Sequence, residues 1–251
     1  MRVIGVIPAR YQSSRFEGKP LADILGKPMV QHVWERSRAA SCLDEVLVAT
    51  DDQRVFDIVR AFGGHAVLTR SEHRSGTDRV AEAISGCAAD VIVNIQGDEP
   101  MIAPEMIAEV VAPFRAGLGA EIVTLKKEVF HESEFADPGV VKVVTDAAGW
   151  ALYFSRSLIP YPRLRTPQFH VYEHVGLYAY GRECLLRLST LPVSPLEEIE
   201  SLEQLRALEN GIRILVVETA CTSESVSVDT PDDLERVRKI LYSGGEINAT
   251  R

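Results

Sequence analysis

The feature that most constrains this chain is a set of short β-branched runs alternating with amphipathic segments. "VIGVI" (3–7), "EVLVAT" (45–50), "HAVL" (65–68) and "VIVNI" (91–95) are bounded by Gly, Asp or Pro and predict buried strands. Between them, Pro28 to Arg38, Asp52 to Ala61 and Thr77 to Ser85 space their apolar residues as helices do, with Met29, Val33 and Trp34 marking one face of the first. Strands alternating with helices predict βαβ units and a mostly parallel sheet. Ligands of such sheets bind outside the carboxyl ends of the strands, so the loops after residues 7, 50, 68 and 95 should converge on a site.

From about Glu121 the pattern changes. "EIVTLKKEV", "VVKVVTD", "ALYFSR" and "HVGLYAY" follow one another through short connections and predict a mixed or antiparallel extension. A single helix is expected over Pro195 to Asn210, with Leu196, Ile199, Leu202 and Leu205 on one face and Gly211 as its stop. A last helix should begin at "DTPDDLERV", with Thr230 as N-cap and Pro231 in the first turn. The expected fold class is α/β: one three-layer α/β/α sandwich with a mostly parallel mixed sheet. It would form a single domain over residues 1–251, with a smaller subdomain at about 126–190.

The formal net charge of −9 argues against a general nucleic-acid binder, because the phosphate backbone favours a basic face. No apolar stretch reaches ~18 residues, so no membrane span is expected, and "MRVIGVIPAR" reads as a core strand and not as a signal peptide. Cys42, Cys87, Cys184 and Cys221 are scattered without a CxxC pair, which suits a reducing cytoplasm.

Against that acidic background, "IPARYQSSRFEGKP" gathers Arg10, Arg15 and Lys19 directly after the first strand, with only Glu17 as an acid. Cations, hydroxyls and backbone N–H groups on a strand-end loop are the inventory for holding a polyphosphate. The other reading, a solvated loop paired with surface acids, is weakened by that position. The loop is not a Walker motif, since Ser13 stands where the first Gly belongs and Pro20 where a Ser or Thr belongs, and no GxGxxG follows any strand. After the fourth strand, "NIQGDEP" places Asp98 and Glu99 where oxygen ligands for a hard divalent cation would lie, although Gly-Asp and Pro also form plain turns. Asp229 is a second acid candidate whose alternative is helix capping. "TRSEHRSGTDR" (69–79) suits base or ribose recognition, or simply caps a helix through Ser75 or Thr77. His170 and His174 in "HVYEH" are four apart, but β-branched and aromatic neighbours predict a strand, where that spacing spans ~13 Å and one zinc ion could not be shared. Neither HExxH nor GxSxG occurs.

The ordered set "IPARYQSSRFEGKPL", "ATDD", "SGTDR", "NIQGDEP", "VKVV", "ALYFSR", "HVGLYAY", "SPLEEIESLEQLRALENG" and "VDTPDDLERV" closely resembles the 3-deoxy-manno-octulosonate cytidylyltransferases, the CMP-Kdo synthetases, from residue 1 to about residue 241. The resemblance implies a nucleotide-diphospho-sugar transferase-like fold and the Mg²⁺-dependent reaction CTP + Kdo → CMP-Kdo + pyrophosphate. It also implies a homodimer formed through the later subdomain, which is expected to serve sugar binding and dimerisation. Carried over by position, Ala9, Arg10, Ser13, Arg15 and Lys19 would hold the triphosphate, with Arg10 and Lys19 neutralising charge during transfer. Asp98 and Asp229 would bind Mg²⁺, and Arg70, Ser75, Gly76 and Thr77 would lie near the cytidine. Gln96, Arg156, His174, Tyr178, Glu203 and Gln204 would line the sugar-acid pocket. Phe16 and Glu17 depart from the common "RLPGKP", and Glu17 is expected to face solvent so as not to repel the ligand. The 8-amino analogue of Kdo as substrate, or a catalytically silent nucleotide-binding module, are the alternatives.

Overall fold

The computed structural model describes residues 1–12, 16–73, 75–164, 169–222 and 226–249. The first apolar run forms β1 (Val3–Pro8), whose carboxyl end leads through a 3-10 turn at Lys19–Leu21 into a small hairpin of β2 (Asp23–Ile24) and β3 (Lys27–Pro28). There follow α1 (Met29–Ala39), β4 (Glu45–Thr50), α2 (Gln53–Ala61), β5 (His65–Leu68), α3 (Gly76–Ala83) and β6 (Val91–Asn94). β1 pairs in parallel with both β4 and β6, and β4 with β5, giving the order β6-β1-β4-β5. Ile4, Ile7, Leu47, Val48, Ile92 and Val93 are fully buried, as strands covered on both faces require. Because all four strands run the same way, the loops that follow them open at one edge, as the alternation predicted.

The chain continues through α4 (Pro104–Arg115), β7 (Ile122–Val129), α5 (Glu132–Phe135), β8 (Lys142–Thr145), β9 (Ala151–Ser155) and β10 (Val171–Gly181). It ends with α6 (Arg182–Thr190), α7 (Pro195–Glu200), α8 (Gln204–Glu209), β11 (Ile214–Glu218) and α9 (Pro231–Ala249). It divides into two compact units, Met1–Ala108 with Cys221–Arg251, and Glu109–Ala220. The subdomain expected at about 126–190 lies within the second unit.

In the first unit, α9 packs through Leu234 and Val237 on a cluster with Ile24, Met29, Met101 and Val228, so the last segment of the chain returns to the residues beside β1. In the second unit β10 pairs antiparallel with β7, with an irregularity between Val175 and Tyr178, and β11 pairs parallel with β7. β8 joins β9 and β10 antiparallel. "HVYEH" is strand, as its β-branched neighbours predicted. α3 starts on Ser75, and α9 starts at Pro231 with Thr230 Oγ1 accepting from Asp233 N–H at 3.3 Å.

One expectation is corrected. The helix expected over Pro195 to Asn210 is two helices, α7 and α8, broken at Ser201, which takes the left-handed conformation (φ 52°). Arg156 makes the break stable by donating from Nε to Glu200 O (2.7 Å) and from Nη2 to Ser201 O (3.3 Å), carbonyls that end the first helix unsatisfied. The two short helices are tied by Arg206, which donates from Nε and Nη2 to the two oxygens of Glu197 at 2.8 and 2.5 Å. Both side chains are about a tenth exposed or less, so the pair is a desolvated, bidentate one. Replacing Glu197→Ala leaves the Arg206 guanidinium buried without its bidentate partner. A loss of ~3–5 kcal/mol is expected, read from the urea midpoint; a loss below ~1 kcal/mol would mean the helix pair is held by its apolar contacts alone.

Candidate functional site

The loops after β1, β5 and β6 and the turn at Lys19 enclose a cavity of ≈ 300 Å³ in the first unit. Pro8, Ala9, Arg10 and Gln12 form one side, Lys19, Pro20 and Met29 another, and Gly76 with Gln96, Gly97 and Asp98 the rest. Gly97 is required by closeness: a Cβ there would stand 2.5 Å from Pro8 O. Gly18 is required by conformation (φ 72°), and its N–H donates to Tyr11 O at 2.9 Å, which closes the loop and presents Lys19 on the next residue.

Two cationic residues line this cavity, Arg10 and Lys19. Arg10 Nη2 is buried and makes no hydrogen bond among the described residues, a donor left without the acceptor that such a group ordinarily has. Lys19 Nζ lies 2.8 Å from Asp98 Oδ2 and 3.3 Å from Asp229 Oδ1. The two acids are brought together by the backbone, since Val228 N–H donates to Asp98 O at 2.9 Å. "QGDEP" does turn, with Glu99 N–H on Gln96 O at 3.2 Å, and the turn aims Asp98 at Lys19. Capping of α9 falls to Thr230 and Asp233, whose carboxylate accepts from Thr230 N–H at 2.8 Å and Asp229 N–H at 3.1 Å, while the Asp229 side chain reaches Lys19. The hydrogen bonds from Thr230 hold the Asp233 carboxyl below its ordinary range.

Behind the cavity stands Arg79, fully buried, which donates from Nη1 to Thr69 Oγ1 at 2.5 Å and from Nη2 to Asp51 Oδ2 at 2.8 Å. It fastens the ends of β4 and β5, where Thr69 N–H also donates to Thr50 O at 2.8 Å. Burial, with Arg10 nearby, lowers its affinity for the proton, against the pull of Asp51. Its role had no signature in the sequence, where it was simply the last letter of "SGTDR". Gln12, Pro20, Met29 and Gly97 also line the cavity without having been singled out. The close approach at Gly97 could have been read from "QGDEP", where Gly follows a buried strand.

Of the nucleotide-side residues expected by resemblance, Ala9, Arg10, Lys19 and Gly76 line the cavity, together with Gln96 and Asp98. Ser75 caps α3 by accepting from Asp78 N–H at 3.1 Å, and Thr77 is buried beside it. Arg70 is largely exposed, with its backbone N–H donating to Glu82 Oε2 at 3.1 Å and its Nε 3.5 Å from the same oxygen, and it does not line the cavity. Ser13 and Arg15 lie outside the described residues. Glu17 is exposed, and its charge is felt by Arg54, whose guanidinium stacks 3.4 Å from the centre of the Tyr11 ring. It thus faces solvent, as expected.

The expected sugar-side residues other than Gln96 belong to the second unit. His174 Nε2 is 3.0 Å from Thr124 Oγ1, and its ring packs edge-on against Phe154 (5.0 Å) and beside Tyr178 (5.3 Å). Packed among these groups and only partly accessible, a charged imidazole would be poorly solvated, and its pKa is lowered to about 3. Burial likewise raises the Tyr178 hydroxyl well above its ordinary value. Both side chains are therefore neutral hydrogen-bonding groups at any ordinary pH. Gln204 Nε2 is buried and without a partner among the described residues, and Glu203 immediately precedes it at the start of α8. Arg156 is differently placed: Nε, Nη1 and Nη2 each donate to a backbone carbonyl, of Glu200, Pro138 and Ser201 respectively.

The cytidylyltransferase family model matches residues 4–214. A 3-deoxy-manno-octulosonate cytidylyltransferase of Solibacter usitatus is 54% identical over 96% of this chain and 94% of its own length. Another of the same description, from Syntrophotalea carbinolica, is 51% identical over 96% of this chain and 99% of its own. The chain belongs to the 3-deoxy-manno-octulosonate cytidylyltransferase family. A solved CMP:2-keto-3-deoxy-manno-octonic acid synthetase, complexed with CTP, shares 47% identity and superposes with a TM-score of 0.92 over 97% of this chain and all (100%) of that one. The mixed, mostly parallel α/β fold is therefore that of the family, and the resemblance seen in the ordered motifs holds over nearly the whole chain.

The depressed His174 pKa carries a consequence for stability. Between pH 6.5, its ordinary value, and about 3, the unfolded chain binds a proton that the folded chain refuses, so stability falls as pH is lowered through that window. In thermal melts, wild-type protein should lose stability more steeply between pH 6.5 and 4 than His174→Gln does; parallel slopes would place the imidazole in contact with water.

Proposed function

We propose that this chain transfers a cytidylyl group from CTP to 3-deoxy-D-manno-octulosonate (Kdo), giving CMP-Kdo and pyrophosphate. The observation that carries the reading is the strand-end cavity. It is lined by Ala9, Arg10, Lys19, Gly97 and Asp98, and Lys19 Nζ joins Asp98 to Asp229, in a chain of this family.

The chemistry asks for positioning and charge neutralisation more than for covalent help. The 2-hydroxyl of the sugar acid attacks the α-phosphorus, the bond from that phosphorus to the bridging oxygen of the β-phosphate breaks, and the hydroxyl proton is lost. In this reading Arg10 and Lys19, which both line the cavity, would neutralise the negative charge that gathers on the α-phosphate and the leaving pyrophosphate. Arg79 holds the ends of β4 and β5 beside Arg10 without entering the cavity. Neutral His174 and Tyr178 and the unfilled Gln204 amide offer hydrogen bonds suited to the hydroxyls of a sugar acid. Arg156 supports that side by holding the turn at Ser201 from which Glu203 and Gln204 emerge.

Asp98 and Asp229 would suit Mg²⁺: they are hard oxygen donors, and both already meet one cation, the Lys19 ammonium. No third His, Cys, Asp or Glu completes a cluster among the described residues, so phosphate oxygens and water would make up the rest of the coordination. When bound, the ion would supply charge neutralisation on the triphosphate. The Mg²⁺ requirement and a homodimer belong to the same proposal and rest on the family resemblance, and a cytoplasmic location rests on the scattered cysteines without a CxxC pair. No disulfide joins Cys42, Cys87, Cys184 or Cys221, and no described helix is long and apolar enough to cross a membrane.

The test is pyrophosphate release with Mg²⁺ and either CTP or UTP, offering Kdo, its 8-amino analogue and sialic acid in parallel. Release is expected with CTP and Kdo, with CTP preferred at least ~10²-fold, because a site built for one set of base donors and acceptors leaves them unpaired with another base. Equal use of UTP, or preference for another sugar acid, would overturn the reading. Asp98→Asn should lower kcat by about 10²-fold or more, and near-normal turnover at saturating Mg²⁺ would remove Asp98 from the metal site.

A further inference from the structure

We infer that Lys19 closes the Asp98–Asp229 pair to free divalent cations, and that the cation site opens only when a nucleotide triphosphate draws the ammonium away. The inference rests on the reading of this cavity as a metal-dependent CTP site. Its basis is the position of Nζ, 2.8 Å from Asp98 Oδ2 and 3.3 Å from Asp229 Oδ1, with the Lys19 side chain only 15% exposed. A divalent ion held by both carboxylates would stand about 2.1 Å from their oxygens, and so would take the space and the charge balance that the ammonium already supplies. The protein carries its own counter-ion in the place of the metal.

The same residue borders the cavity with Ala9, Arg10 and Gly76, so a triphosphate bound there would offer Nζ a second set of anionic partners. Its anchor is rigid: Gly18 in the left-handed conformation and the 3-10 turn Lys19–Leu21 fix the backbone, with Pro20 buried beneath. Its stem is not, because lysine is a point charge on four rotatable carbons and can exchange carboxylate oxygens for phosphate oxygens by a change of rotamer. After that exchange Asp98 and Asp229 face each other with one positive charge fewer, and the pair then favours a divalent ion. Nucleotide binding therefore creates the metal site, and by reciprocity metal raises nucleotide affinity by the same factor. Metal binds after the nucleotide or together with it, and an ion without a triphosphate is turned away.

Mn²⁺ in place of Mg²⁺, followed by electron paramagnetic resonance on the full chain with and without CTP and no sugar, reads this directly. Wild-type protein should bind Mn²⁺ weakly alone and strongly with CTP. Lys19→Met should bind Mn²⁺ alone about tenfold tighter than wild type, the span of an ordinary coupling between sites, and show a smaller gain on adding CTP. Mn²⁺ alone should also raise the melting temperature of the variant and leave that of wild type unchanged, which confirms at the same time that the variant is folded. Should the variant fail to fold, the ¹⁵N resonance of the Lys19 ammonium in wild type decides: Mg²⁺ alone should leave it in place, and CTP should move it. Equal Mn²⁺ affinity of the two proteins without CTP, or movement of that resonance by Mg²⁺ alone, overturns the inference and leaves the CTP reading standing. An absence of Mn²⁺ binding in every mixture would remove the metal site and the reading beneath it.

Discussion

An ammonium shared by two carboxylates from distant parts of the chain is the interaction around which the first unit is arranged. Lys19 follows the first strand, Asp98 follows the last parallel strand of that unit, and Asp229 precedes the final helix. Each arrives by backbone means: a left-handed glycine before Lys19, a glycine pressed on Pro8 before Asp98, and an N–H from Val228 to Asp98 O before Asp229. The apolar cluster that packs α9 against Ile24 and Met29 brings the last of these segments home. Charge alone could not assemble the three, since an exposed pair contributes ~1 kcal/mol or less; the apolar packing and backbone hydrogen bonds bring the charges together.

The second unit solves a related problem with buried cations. Lys142 is fully buried and donates to three backbone carbonyls, of Asp137 (2.8 Å), Val140 (2.6 Å) and Arg156 (2.5 Å). Burial lowers its pKa, opposed by the nearby Asp137 and Glu200. Arg156, whose carbonyl Lys142 holds, spends its own guanidinium on Pro138, Glu200 and Ser201. The two cations thus knit loops that have no regular structure to satisfy their carbonyls, and leave Glu203 and Gln204 at the head of α8 in a fixed place. This is positioning of polar side chains by other polar side chains, in which a missing partner would leave carbonyls unsatisfied.

Much of the first unit was legible in its letters. Four β-branched runs separated by amphipathic segments admit few arrangements other than a parallel sheet, and the carboxyl-end rule then locates the cavity before any coordinate is known. Arg10, Lys19 and Asp98 could be singled out because they stand on the segments that follow strands. The role of Asp229 was ambiguous, since an acid before a helix is a common cap; the structure puts Thr230 and Asp233 in the capping hydrogen bonds and the Asp229 carboxylate on Lys19. Arg79 was silent, because an arginine on a short amphipathic helix reads as solvated until the packing encloses it. The break at Ser201 was hidden for a similar reason. The apolar spacing of "PLEEIESLEQLRALEN" is helical throughout, and what interrupts it is a guanidinium donated from Arg156 across the fold.

By itself the sequence determined the fold class, the order of strands and helices in the first unit, the end of the sheet at which ligands gather, and the family. These follow from local patterns, since apolar period, turn residues and ordered motifs are written along the chain. Tertiary structure alone decided which charges meet: that Lys19 stands between Asp98 and Asp229, that Arg79 is buried while Arg70 is exposed, and that His174 stays neutral. Electrostatic roles depend on distance and on exclusion of water, and neither is a property of neighbours in sequence.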